Sequence, residues 1–298
     1  MAALNYATQY QQALSQNFPY VLNFGALYAA PNNGRYRFTG AKTIEIPIIS
    51  TTGRKDANRD TISAPGRNFD NQWEPLTLVN QRMWDTLVHP ADIDQTNQVA
   101  SIANITQVYN QEKKFPEMDA YCISKIYSEW VAKGKTADTT ALTEANVLSK
   151  FDELMQKMDE ARVPVQGRIL YVTPAIKTLL KNASAITRQI TTDGSNDGVI
   201  KRTVNRLDEV EIISVTSDLM KTVFDFTIGW APGVGAKQIF MCLIHPLAVI
   251  TPVSYSSAAL DEPCAKTQNK YYYYEESFED VFVLPNKQNA IEFVIAGA

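Results

Sequence analysis

His89 and His245 are the two histidines of the chain, and each stands immediately before a proline. An imidazole can serve as acid, base or metal ligand. Neither histidine has a partner at HxxxH, HxxE or Cys/His ligand spacing, so a zinc site is not expected. A capping or turn role fits the His-Pro pairs better. Cys122, Cys242 and Cys264 are scattered, odd in number and free of any CxxC pair. They read as buried, reduced thiols of a protein made in a cytoplasm. Asp92 and Asp94 suggest calcium, but the glycine and distal glutamate of an EF-hand are missing, so a turn before a helix is expected. "APGVGAK" (231–237) lacks the spacing and the final Ser or Thr of a phosphate-binding loop and reads as a hairpin loop. Tyr271–Tyr274 offer stacking surface, yet tyrosines of an interfacial strand or loop fit better. Lys177, Lys181, Arg188, Lys201, Arg202 and Arg206 form a modest basic patch, expected to be solvated or paired between subunits. No catalytic, cofactor or metal residue follows, and no enzyme is expected.

Composition narrows the classes further. The chain has 298 residues, 45% of them hydrophobic, enough for a proper core. The net charge of −4 argues against a dedicated nucleic-acid binder. No run approaches the ~20 apolar residues of a membrane span, and no basic n-region marks a secretory signal.

The elements that must position these residues have an unusual order. Residues 1–34 contain no Asp, Glu, Lys, Arg or His. Such an arm should lie along protein surface, its own or a neighbour's. Its residues 4–14 could make a short helix. In 35–51, Ile44, Ile46 and Ile48 alternate with Thr43, Glu45 and Pro47, which predicts a strand, and Pro47 predicts an edge. Residues 52–71 read as a long exposed tip and 72–88 as a returning strand. Arms of ~15 residues would make a ribbon of about 50 Å that needs a surface to lie on. Thr96 or Asn97 could cap a helix running to about 133. Met118, Cys122, Ile126 and Trp130, widened by Tyr121, Ile123 and Tyr127, form its apolar stripe, and Pro116 kinks or restarts it. Gly134 should end it.

Residues 140–248 read as a compact mixed α/β unit. Its helix 142–161 carries Phe151, Leu154, Met155 and Met158, with Thr143 as cap. Strands are expected at 168–173, 210–215, 224–230 and 238–246, and a helix at 173–182 with Pro174 in its first turn. Residues 190–203 read as an exposed loop. After 249 the chain returns to β structure, broken at "LPNKQ".

On these residues the sequence resembles the major capsid proteins of tailed bacteriophages, with the HK97-type fold. "FTGAKTIEIPIISTTG" (38–53), "VHPADIDQTN" (88–97), "FPEMDAYCISKIYSE" (115–129), "RVPVQGRILYVTPAIKTLLKN" (162–182) and "SFEDVFVLPNKQNAIEF" (277–293) occur in the family's order. The resemblance implies an α+β fold: an N-terminal arm (1–34), an extended E-loop hairpin (35–88), a P-domain with a long spine helix (89–139), a compact α/β A-domain (140–248) and closing P-domain strands (249–298). It implies that Glu117, Asp119, Lys125 and Glu129 form a charged face of the spine helix, exposed or paired with neighbours. It implies a structural subunit of a shell of pentamers and hexamers, icosahedral or prolate, enclosing dsDNA without sequence-specific binding. The protein would be made in the host cytoplasm and reside in the virion, with a portal protein, and scaffold and decoration proteins, as further partners. A separate scaffold, or none, is expected, because Met1 opens directly into the arm. Arg54, Lys55, Asp56, Arg59 and Asp60 at the tip, and Tyr6, Tyr10, Phe18 and Tyr20 in the arm, are the expected intersubunit contacts. Lys42, Lys55, Asn286 and Asn289 lie where some members cross-link, but no pattern identifies an assisting glutamate, and cross-linking is not expected. An encapsulin-like compartment shell is the alternative.

Overall fold

The structure, a computed structural model, describes residues 20–34, 36–40, 42–56, 59–60, 66–96, 100–183 and 205–297. The arm's described half carries one short helix, α1 (Gly25–Tyr28). Strand β1 (Arg37–Phe38) is brief, and β2 (Thr43–Thr51) and β3 (Phe69–Thr77) form the expected antiparallel hairpin. Its arms are nine residues each, so the ribbon is about 30 Å long, shorter than the sequence suggests. The reason is Leu78, which is 1% exposed. Burying it breaks the extended segment, and β4 (Gln81–Val88) enters a different sheet.

Helix α2 (Pro90–Gln95) replaces the expected turn, and the His89 side chain caps it by accepting from Ala91 N–H at 3.1 Å. Thr96 closes that helix rather than opening the next, and Ser101 caps α3 (Ile102–Tyr109). The helical backbone then continues through a π-turn at Asn110–Lys114 into α4 (Phe115–Ala132). Phe115 N–H bonds Asn110 C=O, five residues back, and Pro116 has no N–H to place. The wider turn lets the proline pass without ending the rod, which reaches about 45 Å. Gly134, at φ +80°, terminates it as expected.

Helix α5 (Val147–Glu160) begins later than Thr143 predicts. Asn146 Oδ1 accepts from Thr143 N–H at 2.7 Å and its Nδ2 donates to Ala141 C=O at 2.9 Å, a side-chain turn that delays the helix. Then follow β5 (Ile169–Val172), α6 (Pro174–Asn182), β6 (Arg206–Leu207) and β7 (Val210–Ser214). The predicted strand 224–230 shrinks to β8 (Phe224–Asp225), paired with β9 (Ala231–Pro232). Asp225 Oδ1 captures Thr227 N–H at 2.9 Å and its hydroxyl at 2.6 Å, which turns the chain. The chain closes with β10 (Ile239–Ile244), β11 (Val249–Ile250), β12 (Val253–Asp261), β13 (Tyr271–Glu279), β14 (Phe282–Val283) and β15 (Ile291–Ile295).

The central sheet runs β15-β10-β5-β7-β6, with β5 and β7 parallel and the other pairs antiparallel. It is a mixed sheet, and β15 joins it from the closing segment. Side chains alternate across it, apart from a bulge between Ile239 and Met241. Ile169, Tyr171, Cys242, Ile244 and Phe293 face Ala120, Cys122, Ile123, Ile126 and Trp130 of α4. Leu170, Val172, Met241, Leu243 and Val294 face Phe151, Leu154 and Met158 of α5 and Ile176 and Leu180 of α6. One strand period of two thus feeds two helical stripes. Cys122 and Cys242 are buried as expected, whereas Cys264 is exposed.

Asp119 departs most from the charged face predicted for the long helix. It is fully buried. Its carboxylate accepts from Tyr20 O–H at 2.5 Å, Asn23 N–H at 2.8 Å and Phe24 N–H at 3.2 Å. Burial pushes its carboxyl above the ordinary range, and these donors pull it back. Phe24 and Leu27 are drawn into the core beneath, with Phe24 4.4 Å from the Tyr171 ring. Asp119→Ala should cost about 2–4 kcal/mol, because three donors lose their acceptor inside the fold. Urea unfolding of the isolated chain measures the loss, and proteolysis should cut the arm faster.

His245 also holds the role its proline suggests. Its Nδ1 accepts from Leu247 N–H at 3.1 Å, so Nε2 carries the proton and donates to Gln166 C=O at 3.1 Å. Burial, with Arg168 and Lys287 nearby, lowers its pKa below 6.5, against the pull of the Gln166 bond. The unfolded chain therefore takes up this proton first as pH falls. Stability from this site is intact above about pH 6.5 and declines as pH drops toward the folded pKa. His245→Asn keeps a capping acceptor and should remove that component from unfolding midpoints compared at pH 7.5 and 5.5.

Candidate assembly surface

The hairpin's register decides which of its atoms face outward. Leu78 N–H bonds Lys42 C=O at 2.8 Å, and Thr52 N–H bonds Asn68 C=O at 3.0 Å. Both are pairs of even-numbered residues, so the alternation of an antiparallel ladder puts every odd-numbered pair in a non-bonded position. Pro47 and Pro75 are both odd, pairing with Trp73 and Glu45. Neither costs a ladder bond, and each removes an N–H that would point out of the ribbon. The edge expected at Pro47 is present, since β1 pairs only with Ile44 and Glu45.

The same parity sorts the side chains. Ile44 and Ile46 enter a core with Leu78, Ile250, Phe278, Phe282 and Leu284. The odd face is left bare: Ile49 is 70% exposed, Phe69 55% and Trp73 45%. Pro47 lies opposite Trp73, and Thr51 opposite Phe69. Arginines rim this strip, with Arg37 5.3 Å over Trp73 and Arg67 4.7 Å over Phe69. Arg54, Lys55, Asp56, Arg59 and Asp60 are all exposed at the tip beyond it. The result is an apolar strip with a charged rim, the anatomy of a protein contact.

The ribbon is held at its root by a second buried aspartate. Asp280, 1% exposed, accepts from Val79 N–H, Tyr121 O–H and Val281 N–H, each at 2.8 Å, with Lys125 Nζ at 4.0 Å. It ties the ribbon's exit to the long helix and to the closing strands. The three-stranded sheet β12-β13-β4 lies on the same helix through polar contacts. Arg82 meets Glu117 at 2.6 Å, Lys114 meets Glu275 at 3.0 Å, and Trp84 stacks on Tyr109 at 3.9 Å. Burial raises the Glu117 pKa, and the Arg82 guanidinium opposes it. Glu117 and Lys125 thus spend their charge inside the chain, Lys125 also on Glu129 at 3.2 Å.

The other predicted contact residues fall differently. Tyr6, Tyr10 and Phe18 lie outside the described residues, as do Arg188, Lys201 and Arg202 of the basic patch. Tyr20 gives its hydroxyl to Asp119 within the chain. Lys42 rests over the Phe278 ring at 5.8 Å. The four tyrosines are strand residues of β13, half-buried, with Tyr273 and Tyr274 donating to Glu275 and Glu276 at 2.9 Å each. Among the described residues, no group of three or more His, Cys, Asp or Glu could hold a metal ion, and no helix is long and apolar enough to cross a membrane.

Asp119 and Asp280 are the functional residues that sequence reasoning missed. The spacing 119, 123, 126, 130 is itself a core stripe, and Asp119 sits in it. That was the available signal. Asp280 gives only its place before the apolar run Val281–Leu284.

No family model matches the chain, and no curated protein matches its sequence. Solved structures do match in fold. A capsid structure of the cyanophage P-SCSP1u aligns with a TM-score of 0.71 at 12% identity, covering 98% of this chain and 93% of that one. A structure of Mycobacterium phage Che8 aligns at 0.68 and 13% identity, covering 98% of both chains. The mature capsid of bacteriophage PhiM1 aligns at 0.60 and 14% identity, covering 99% of this chain and 90% of that one. Arm, hairpin, long helix and mixed sheet together are therefore the α+β fold found in phage capsid structures.

Proposed function

We propose that this chain is the major capsid protein of a tailed phage, a structural rather than enzymatic subunit whose copies build an icosahedral or prolate shell around dsDNA. The observation that carries this reading is the end-to-end correspondence with phage capsid structures, covering nearly all of this chain and at least 90% of theirs. The surface chemistry supports it. Among the described residues nothing covers the ribbon's apolar, arginine-rimmed face, and a second copy supplies the missing surface. Each contact is small, but a subunit meets several neighbours, so the lattice gains by multivalency. A net charge of −4 suits a container that must not grip its genome. The virion is the place of action, and pentamers and hexamers are the units the reading implies. A portal protein, and scaffold and decoration proteins, are the further partners it implies. The division into arm, E-loop, P-domain and A-domain given by the sequence resemblance is part of the same proposal.

Trp73→Glu combined with Ile49→Lys should cost subunit unfolding no more than about 1–2 kcal/mol, because Ile49 is mostly solvated, Trp73 is about half so, and neither belongs to a core. Light scattering and negative-stain microscopy should show the wild type forming shells, tubes or capsomers and the double variant forming none. A wild type that stays a compact monomer at every concentration, even with its neighbouring gene products, would end the reading.

A further inference from the structure

In the three sheets of three or more strands among the described residues, each edge has something that keeps another strand off it, with one exception. In the central sheet, β6 is two residues long. The outer side of β15 is taken by Asp138, whose N–H bonds Phe293 C=O at 3.0 Å and whose C=O accepts from Ile295 at 2.8 Å. Pro47 and Pro75 guard the ribbon. β4 carries the charged Asp85 among its outward positions. β12 has no such guard. From Val253 to Leu260 it reads VSYSSAAL, with no charge, proline or glycine.

Parity again identifies the open groups. Glu279 N–H bonds Asn80 C=O at 3.1 Å, so the odd residues of β13 bond β4 and the even ones bond β12. The even residues pair with Tyr255, Ser257, Ala259 and Asp261. Ser256, Ala258 and Leu260, all exposed, therefore turn their N–H and C=O groups to the free edge.

We infer that this edge accepts residues 1–19 of a second copy of the chain as an added strand. Those residues carry no charge, so no ion is desolvated when they meet an uncharged edge. Leu4, Tyr6, Tyr10 and Leu14, the large apolar side chains of 4–14, all fall on even positions, with Thr8 and Gln12 on the same face and Ala3, Asn5, Ala7, Gln9, Gln11 and Ala13 between them. That parity lets the stretch pair as a strand on an edge, in place of the short helix it could make alone. The stretch from Leu4 to Leu14 would span about 35 Å, against about 30 Å for β12. Tyr20, clasped by Asp119, fixes where the arm departs, leaving nineteen residues that reach up to about 60 Å. The inference rests on the shell reading for its supply of second copies.

Two variants test it. Ala258→Pro removes an outward N–H without touching the β12–β13 ladder, so the subunit should unfold as the wild type does. A chain lacking residues 1–19 keeps all three cores and the Asp119 clasp, which are built from residue 20 onward. Each variant alone should lose particle yield by about tenfold or more, as a lost multivalent contact would. Mixing them should restore it, because Ala258→Pro chains bring arms and truncated chains bring open edges. Full assembly by Ala258→Pro alone, or no rescue on mixing, would overturn the inference. A synthetic peptide of residues 1–19, added to the truncated chain, should slow amide exchange at Ser256, Ala258 and Leu260. Unchanged exchange refutes the strand addition. Slowed exchange in a protein that forms no particles upholds the strand addition and refutes the shell.

Discussion

A carboxylate buried on the inner face of the long helix governs the rest of the architecture. Asp119 could not be sealed in the core unless donors were brought to it, since an unpaired buried charge costs several kcal/mol. The chain brings Tyr20 and the backbone of Asn23 and Phe24. Once these are in place, Phe24 and Leu27 lie over Tyr171 and the arm stops being a tail. An apolar residue at 119 would pack, but it would leave two backbone N–H groups without acceptors and give the arm no fixed point of departure. Position, rather than stability alone, is what the buried charge contributes.

Asp280 applies the same logic to the ribbon. The two aspartates divide the work, one fixing the arm and the other the hairpin's root, and the long helix receives both. Apolar packing joins that helix to the central sheet, while charged pairs and one aromatic stack join it to β12-β13-β4. The polar seam is the softer of the two, because partly solvated ion pairs contribute little each. A subunit built this way has one rigid joint and one compliant joint along a single rod, and the π-turn before Pro116 falls beside the compliant one.

Much of this was legible in residue order. Period two at Ile44, Ile46 and Ile48 gave the hairpin, Thr173-Pro174 the start of α6, Gly134 the end of the long helix, and the His-Pro pairs their capping turns. The misses share a cause: short side-chain bonds that override propensity. Asn146 holds back α5, and Asp225 turns a segment rich in aromatic residues out of a strand. Asp119 was read as surface because charge was weighed above its place in the stripe. The apolar strip of Ile49, Phe69 and Trp73 could not be assembled from sequence, since it exists only once the β2–β3 register is known. The tip charges needed no register and were found directly.

The two ribbon prolines carry a rule about length. Each is harmless because it occupies an odd position in a ladder bonded at even ones. Insert one residue into either arm between the root and its proline, and the proline moves onto a bonding position while every side chain of that arm beyond the insertion swings to the opposite face. Insert two, and both relationships return. The arms of this ribbon are therefore free to lengthen or shorten only in steps of two, a constraint that the parity of the ladder sets and that applies only to the paired residues.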